Sequence, residues 1–366
     1  MTVQGEHAAT AAELAEAIGP PPAVRSRGLP LRWAAGALVF LVVAVLVGLG
    51  IGPDSISATA IARAALSHVP LLGVHSPLTS TQSLIVWQIR APAVAMGVLV
   101  GAMLAVAGAA YQGTFRNPLA DPYLLGVSEG AGAGATILIA FAPAVAGGEL
   151  LPLAAFVGAV VAVTIAYLLG SSVARQGGTA ALILAGVTVS AFMTAIQLFL
   201  QTRQSQTLQQ VYAWLLGGLS GSTWHQVLLA APWIVISAAV LLAHRRILDV
   251  LSIGDEEAAS LGINVHRTRL LIVGAATIGT AAAVAFSGLI GFVGIIVPHT
   301  TRLLASSSYR AIVPLSLILG AGFLVLANVL AGAVLSPAEL PLGVVTAFFG
   351  APFFGVVLRR SRWVGM

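Results

Sequence analysis

Long apolar runs with few charges recur along almost the whole chain and constrain its fold more than any other feature. Only 8% of the 366 residues are charged and the mean hydropathy is +0.99, whereas a soluble protein carries about 25% charged residues. An apolar run of about twenty residues can cross a bilayer as an α-helix. We therefore predict an all-α polytopic membrane protein. Its ten expected transmembrane helices lie near residues 33–52, 92–113, 124–143, 150–170, 180–200, 227–243, 270–287, 289–305, 312–332 and 341–358.

Glycine interrupts the apolar stretch between the seventh and eighth of these helices, where Gly288, Gly291 and Gly294 surround Phe292. This pattern predicts a break or tight crossing between two short helices, and it leaves nine or eleven helices as alternatives. Elsewhere glycine recurs every four residues, as in 126–134. That spacing allows close approach of helix backbones in lipid, although glycine is also simply common in membrane helices.

The arginines orient the chain. If the N-terminus is cytoplasmic, fourteen arginines fall on the cytoplasmic side and only Arg63, Arg90 and Arg203 lie outside. Cytoplasmic loops of membrane proteins are enriched in basic residues, so we predict that both termini are cytoplasmic. Residues 1–30 are polar and are expected to form a disordered cytoplasmic tail before a transmembrane domain over 31–366.

The residue types that are missing exclude several functions. The chain has no cysteine and no lysine, and all 17 basic residues are arginine. It therefore has no thiolate metal site and no Walker A loop, whose lysine holds ATP phosphates. No histidine or carboxylate set has the spacing of metal ligands or of a catalytic triad, so we expect neither catalytic residues nor a metal site. The scattered arginines favour membrane topology over nucleic-acid binding as the reason for the basic pI.

One segment is dense in charge: eight of the 29 charged residues lie between Arg245 and Arg269. Such a segment must stand outside hydrocarbon. Within it, residues 254–269 predict two very short helices, the first capped by Asp255 and ended by Gly262, the second capped by Asn264. A structured charged segment between apolar helices is typical of a docking surface, but an ordinary solvated loop remains an alternative.

Two further polar features stand out. In the turn over 116–122, two prolines fix an irregular backbone, and Asn117 and Asp121 can bond the freed amides. The turn is either a plain connector or a constriction in a pathway. Glu129 lies inside an apolar stretch, where a carboxylate either faces a cavity or partner, or is hydrated from the cytoplasm.

Seven strings in order resemble the FecCD-type permease family, the membrane subunits of type II ABC importers for iron-siderophores, haem and cobalamin. The matching strings cover nearly all of the chain beyond the tail. They are WQIRAP (87–92), GAMLAVAGAAYQGTFRNPLADPYLLGVSEGAGAG (101–134), LILAGV (182–187), WLLGGLSGSTW (214–224), GDEEAASLGINV (254–265), SGLIGFVGIIVPHTTRLL (287–304) and AELPLGVVTAFFGAPFF (338–354).

The resemblance implies ten helices per subunit in a bacterial cytoplasmic membrane, and a homodimer or a pair with a closely related permease. It also implies two cytosolic ABC ATPases that hold ATP and Mg, and an extracytoplasmic substrate-binding protein. This chain is expected to bind lipid, but no cofactor of its own and no nucleic acid. The expected cargo is an iron-siderophore, with haem and cobalamin as alternatives. An ion-coupled secondary transporter, with Glu129 and His299 as a proton relay, is the alternative from another class.

Residue roles follow from the same resemblance. Coupling to the ATPase is expected at Gly254, Asp255, Glu256, Glu257, Leu261, Gly262, Arg267 and Arg269. The cytoplasmic gate is expected at Asn117 and Leu119 and at a loop that contains Gly178 and Thr179. Arg90 is expected to dock the binding protein, and Glu129 and Glu339 are pathway candidates.

Four positions depart from the cobalamin-type pattern. Ala93 and Gly332 replace arginines that would contact the binding protein, and Asn328 stands where an aspartate is usual. Glu129 stands where that pattern has asparagine. The usual charge-assisted docking is therefore in question for this chain.

Overall fold

The computed structural model describes residues 29–52, 55–67, 75–335 and 338–361. Within these ranges the chain is helical, with connecting turns and no β-strand. The α-helices are α1 Leu31–Gly50, α2 Ala58–Leu66, α3 Ser80–Leu84, α4 Ala91–Phe115, α5 Val127–Phe141, α6 Leu150–Arg203, α7 Leu208–Leu215, α8 Trp224–Ala243, α9 Arg245–Leu251, α10 Asp255–Ser260, α11 Val265–Ser287, α12 Val293–Leu304, α13 Tyr309–Val334 and α14 Leu342–Ser361. A π-helical turn, Ile85–Arg90, joins α3 to α4.

The predicted order of membrane helices is confirmed. By length and composition, seven of the described helical segments can cross a membrane. The shorter helices α5, α12 and α14 occupy the remaining three predicted positions. The short α7 follows the fifth membrane helix, within the segment between the fifth and sixth. The predicted tail over 1–30 falls almost wholly outside the described residues.

Helix α6 contains two membrane segments, Leu150–Ser172 and Ala180–Arg203. A methyl group added at Gly170 would lie 2.8 Å from the Cα of Leu182. In a straight helix those two residues are about 18 Å apart, so the chain reverses direction between them. Gly178 and Thr179 lie within this reversal, where the backbone has helical geometry, and their side chains lie outside the described part of the chain.

Helix α4 forms the centre of the bundle and packs against α8, α11, α12 and α13. Two of these helices can approach α4 closely because glycine faces glycine at the contact. A methyl group at Gly101 would overlap the carbonyl of Gly320, and one at Gly108 would overlap that of Gly294. The predicted glycine-mediated approach of α5 is also confirmed, since Gly130 packs on Gly158 of α6. In lipid such close backbone contact replaces hydrophobic burial as the main source of helix association.

Candidate functional site

The charged segment forms a knob, residues 254–269, at one end of the bundle. Its first helix, α10, is short as predicted, and it ends at Gly262, which adopts a φ of +80°. Asn264 accepts a hydrogen bond from the amide of Arg267 at 3.0 Å and so caps the next helix, as predicted. That helix is not short, however, because it continues as the 23-residue membrane helix α11.

The predicted cap of α10 by Asp255 is wrong, because the carboxylate of Asp255 forms ion pairs instead. The N-cap residue is Gly254, which has no side chain to cap the helix. The Asp255 oxygens instead accept two hydrogen bonds from Nη2 of Arg269, at 2.9 and 3.0 Å. Arg116, at the end of α4, approaches the same carboxylate at 3.8 Å. Asp255 therefore joins α10 to the start of α11 and to the turn after α4.

The outer surface of the knob combines charge with exposed apolar side chains. Glu256, Glu257 and Arg267 are exposed. Leu261 in the knob and Ile253, immediately before it, expose 69% and 68% of their surface. Exposed apolar side chains rimmed by polar residues are typical of protein–protein docking surfaces. This geometry favours docking over the alternative of an ordinary solvated loop.

The turn after α4 is held by the short-range side-chain bonds that its sequence predicts. Asn117 accepts a bond from the amide of Leu119 at 2.9 Å, and Asp121 accepts one from the amide of Tyr123 at 2.8 Å. Arg116 adopts the left-handed region, with a φ of 52°, which is costly for a non-glycine residue. Burial raises the pKa of Asp121 to about 6, against the lowering effect of the Tyr123 amide. Leu119 is exposed beside this turn.

The predicted break between α11 and α12 is confirmed over residues 288–292. Gly288 and Phe292 both have a φ of 68°, and the ring of Phe292 fills the space that a side chain at Gly350 of α14 would need. Irregular backbone within a membrane bundle must find partners inside the protein. The hydroxyl of Tyr123 supplies them, because it donates to the carbonyl of Ile290 at 3.0 Å and accepts from its amide at 3.2 Å.

A second polar network supports the knob end of the bundle. Asp249 of α9 accepts bonds from the Ser308 hydroxyl and the Tyr309 amide at the start of α13, and pairs with Arg310 at 3.3 Å. Arg302 of α12 donates to Tyr309 at 3.1 Å and to Gln112 of α4 at 3.2 Å. These residues were not predicted from the sequence, since the Asp249–Ser308 and Gln112–Arg302 bonds join side chains that are far apart along the chain.

Glu129 lies in the first turn of α5, where a carboxylate is favoured by the helix dipole. Its Oε2 accepts bonds from the hydroxyls of Ser128 at 2.6 Å and Ser190 at 3.3 Å. Ser190 belongs to the second half of α6, so the carboxylate ties α5 to that segment. Among the described residues, no hydrogen bond or ion pair connects Glu129 with His299, whose ring packs edge-on against Phe353. The two side chains therefore make no direct contact of the kind that a proton relay without intervening water needs.

The end of the bundle opposite the knob opens into a mouth, a cavity of about 660 Å³. The mouth gathers residues that the sequence analysis named separately, since Arg90, Ala93, Asn328, Gly332 and Glu339 all line it. The predicted docking residue and one predicted pathway residue thus share a single surface.

A scan against protein-family profiles decides the affiliation. Residues 40–360 match the FecCD transport family. The chain belongs to the FecCD transport family. It is 39% identical over 362 residues to the cobalamin import system permease protein BtuC of Halobacterium salinarum, covering 90% of this chain and 96% of that protein. It is 38% identical to the hemin transport system permease protein HmuU of Yersinia pestis, covering 76% of this chain and 84% of that protein.

An iron-related permease and a solved structure agree with this affiliation. The Fe(3+)-citrate import system permease protein YfmE of Bacillus subtilis is 33% identical to this chain, covering 88% of this chain and 92% of that protein. A structure described as an inward-facing conformation of a metal-chelate type ABC transporter superposes with a TM-score of 0.78 at 29% identity, covering 90% of this chain and all of that one. This FecCD chain is thus a permease subunit, and its multi-pass helical architecture is that of its family.

Proposed function

We propose that this FecCD permease imports a metal chelate, with an iron-siderophore as the cargo, powered by ATP hydrolysis on separate ABC subunits. The knob carries the proposal. It presents exposed apolar residues between charges, as a docking surface does. It is also joined through Asp255 to the turn that contains Asn117 and Leu119. A movement of the knob would therefore be passed directly to the proposed gate.

The other assignments follow from this arrangement. The knob end faces the cytoplasm of a bacterium, both termini lie on that side, and the mouth faces outward. Two copies of the chain, or this chain and a related permease, form the pathway. Two ABC ATPases bind ATP and Mg, and this chain binds no cofactor of its own. Gly178 and Thr179 remain proposed members of the gate, and Glu129 and Glu339 remain proposed pathway residues.

The structure of the bundle supports the transport mechanism more specifically than it supports one cargo. Relatives of similar identity are described as permeases for cobalamin, hemin and Fe(3+)-citrate. Haem and cobalamin are therefore the alternatives within the same mechanism. The ion-coupled transporter has less support, because the Glu129 carboxylate is bonded by two serines and, among the described residues, no direct bond joins it to His299.

Co-purification tests the proposal. We expect a tagged copy of this chain, extracted from its native membrane in mild detergent, to carry an ATPase subunit with a Walker A motif. We expect ATP hydrolysis by that complex to rise when the matching binding protein is added with its chelate. A chain that purifies without an ATPase, and that moves the chelate in liposomes under an ion gradient alone, would contradict the proposal.

A further inference from the structure

The mouth opposite the knob carries a carboxylate placed to recognise a positive charge. We propose that Glu339, with Ser220 and Asn328, accepts a basic side chain of the substrate-binding protein when that protein docks. The inference rests on the proposed function, because it needs the mouth to face outward and a binding protein to exist. It adds a contact whose polarity is opposite to that expected at Arg90.

The three residues stand where two cavities meet. The mouth and a second cavity of about 390 Å³ have Ser220, Asn328 and Glu339 in common among their lining residues. The second cavity runs under irregular backbone, where Gly218 donates to the carbonyl of Ser287 at 2.9 Å. Next to Glu339, the amide of Leu340 donates to the carbonyl of Ala331 at 2.9 Å, so the backbone beside both Ser220 and Glu339 is hydrogen-bonded.

The chemistry of the trio is that of a hydrogen-bond acceptor for a cation. Glu339 is exposed, and the hydroxyl of Ser220 donates to its Oε2. The other carboxylate oxygen and the side-chain amide of Asn328 make no hydrogen bond within the described part of the chain. A guanidinium or ammonium group can bond both a carboxylate and an amide oxygen, and a charge-assisted bond is stronger than a neutral one.

Arg90 does not define the polarity of the mouth, because its guanidinium is engaged inside the protein. Its Nη1 donates to the carbonyls of Leu49 and Gly50, at 2.9 and 3.1 Å. These carbonyls end α1, where a positive charge balances the helix dipole. The guanidinium also packs on Gly52, where a side chain would overlap it. Part of the hydrogen-bonding capacity of Arg90 is thus used to close α1.

The mouth also has room for a long side chain. Ala93 and Gly332 line it as small residues, and a methyl group added at Gly332 would meet no atom within 4 Å. Ile89 and Val329 supply apolar wall, against which the methylene groups of an arginine or lysine can pack while the charged head reaches a carboxylate. The space, the wall and the acceptor together fit a basic side chain that enters from the partner.

The test uses the intact complex of permease and ATPase in lipid nanodiscs, with the binding protein as the probe. We expect Glu339→Gln to weaken binding of that protein about tenfold, which corresponds to about 1.4 kcal/mol, and Glu339→Arg to weaken it further. Gly332→Arg fills the mouth and should also weaken binding. The matched control is Glu149→Gln, which removes a carboxylate paired with exposed His225 at 2.5 Å outside the mouth and should leave binding unchanged.

A reciprocal exchange makes the result specific. In the binding protein, reversal of the basic residue that faces Glu339 should weaken binding to the wild-type complex and restore part of the binding to Glu339→Arg. Unchanged affinity for Glu339→Gln would overturn the inference. If Glu339→Gln keeps its affinity for the binding protein but loses uptake, the inference is also overturned, because Glu339 would then contact the chelate. A wild-type complex that neither binds the protein nor raises its ATP hydrolysis in response would instead count against the proposed function.

Discussion

Replacement of Asp255 by Asn is expected to lower ATP-driven uptake about tenfold while ATP hydrolysis by the complex continues. The carboxylate holds Arg269 by two bonds and lies near Arg116, so it joins the knob to the turn after α4. Loss of its charge frees the knob to move without the gate. A coupling free energy of about 1–3 kcal/mol is typical between linked sites, which corresponds to a change of about 5- to 150-fold.

The measurement is uptake per ATP hydrolysed in proteoliposomes that contain the whole complex. Asp255→Glu should recover part of the uptake, because a carboxylate remains, and Glu149→Gln should behave as wild type. If Asp255→Asn transports normally, the ion pairs do not carry the motion. If it fails to assemble with the ATPase, then Asp255 contributes to docking itself, and the linkage to the gate would be contradicted.

Replacement of Tyr123 by Phe is expected to destabilise the bundle and to slow transport, although only one oxygen atom is removed. The amide and carbonyl of Ile290 would both lose their partner, and Ile290 is buried. A buried polar group left without a bond costs about 1–3 kcal/mol. The irregular segment over 288–292 would then lose its attachment to the gate turn.

Thermal unfolding in detergent and uptake in proteoliposomes test this prediction together. Tyr212→Phe is the matched control. It removes the same hydroxyl oxygen from an exposed tyrosine that makes no hydrogen bond within the described part of the chain. We expect a lower unfolding temperature and reduced uptake for Tyr123→Phe, and no change for Tyr212→Phe. Equal behaviour of the two variants would show that the hydroxyl of Tyr123 does not support the break.

Local patterns predicted those parts of the fold that depend on local chemistry. Apolar length placed the membrane helices, glycine around Phe292 predicted the break, and Asn264 and Gly262 act at helix ends as expected. Short-range side-chain bonds in the turn were also predictable, because Asn117 bonds an amide only two residues away.

The contacts of the candidate site could not be predicted from local patterns, because they depend on tertiary structure. Asp255 has the residue type of a helix cap and directly follows the N-cap residue. Only the fold shows that Arg269 and Arg116 lie within ion-pair distance of its carboxylate. Tyr123 is one apolar residue among many until its hydroxyl is seen on Ile290, 167 positions later.

In the proposed complex an ATPase subunit docks on the knob, and site-specific cross-linking detects that contact. The chain has no cysteine, so Leu261→Cys introduces a unique site at the exposed tip of the knob for a maleimide photocross-linker. We expect light to join this chain to the ATPase subunit, with a yield that changes between nucleotide-free and ATP-bound complexes. The same label at Glu149→Cys should give no such product. An active, ATP-driven complex with no cross-link from residue 261 would contradict docking of the ATPase on the knob.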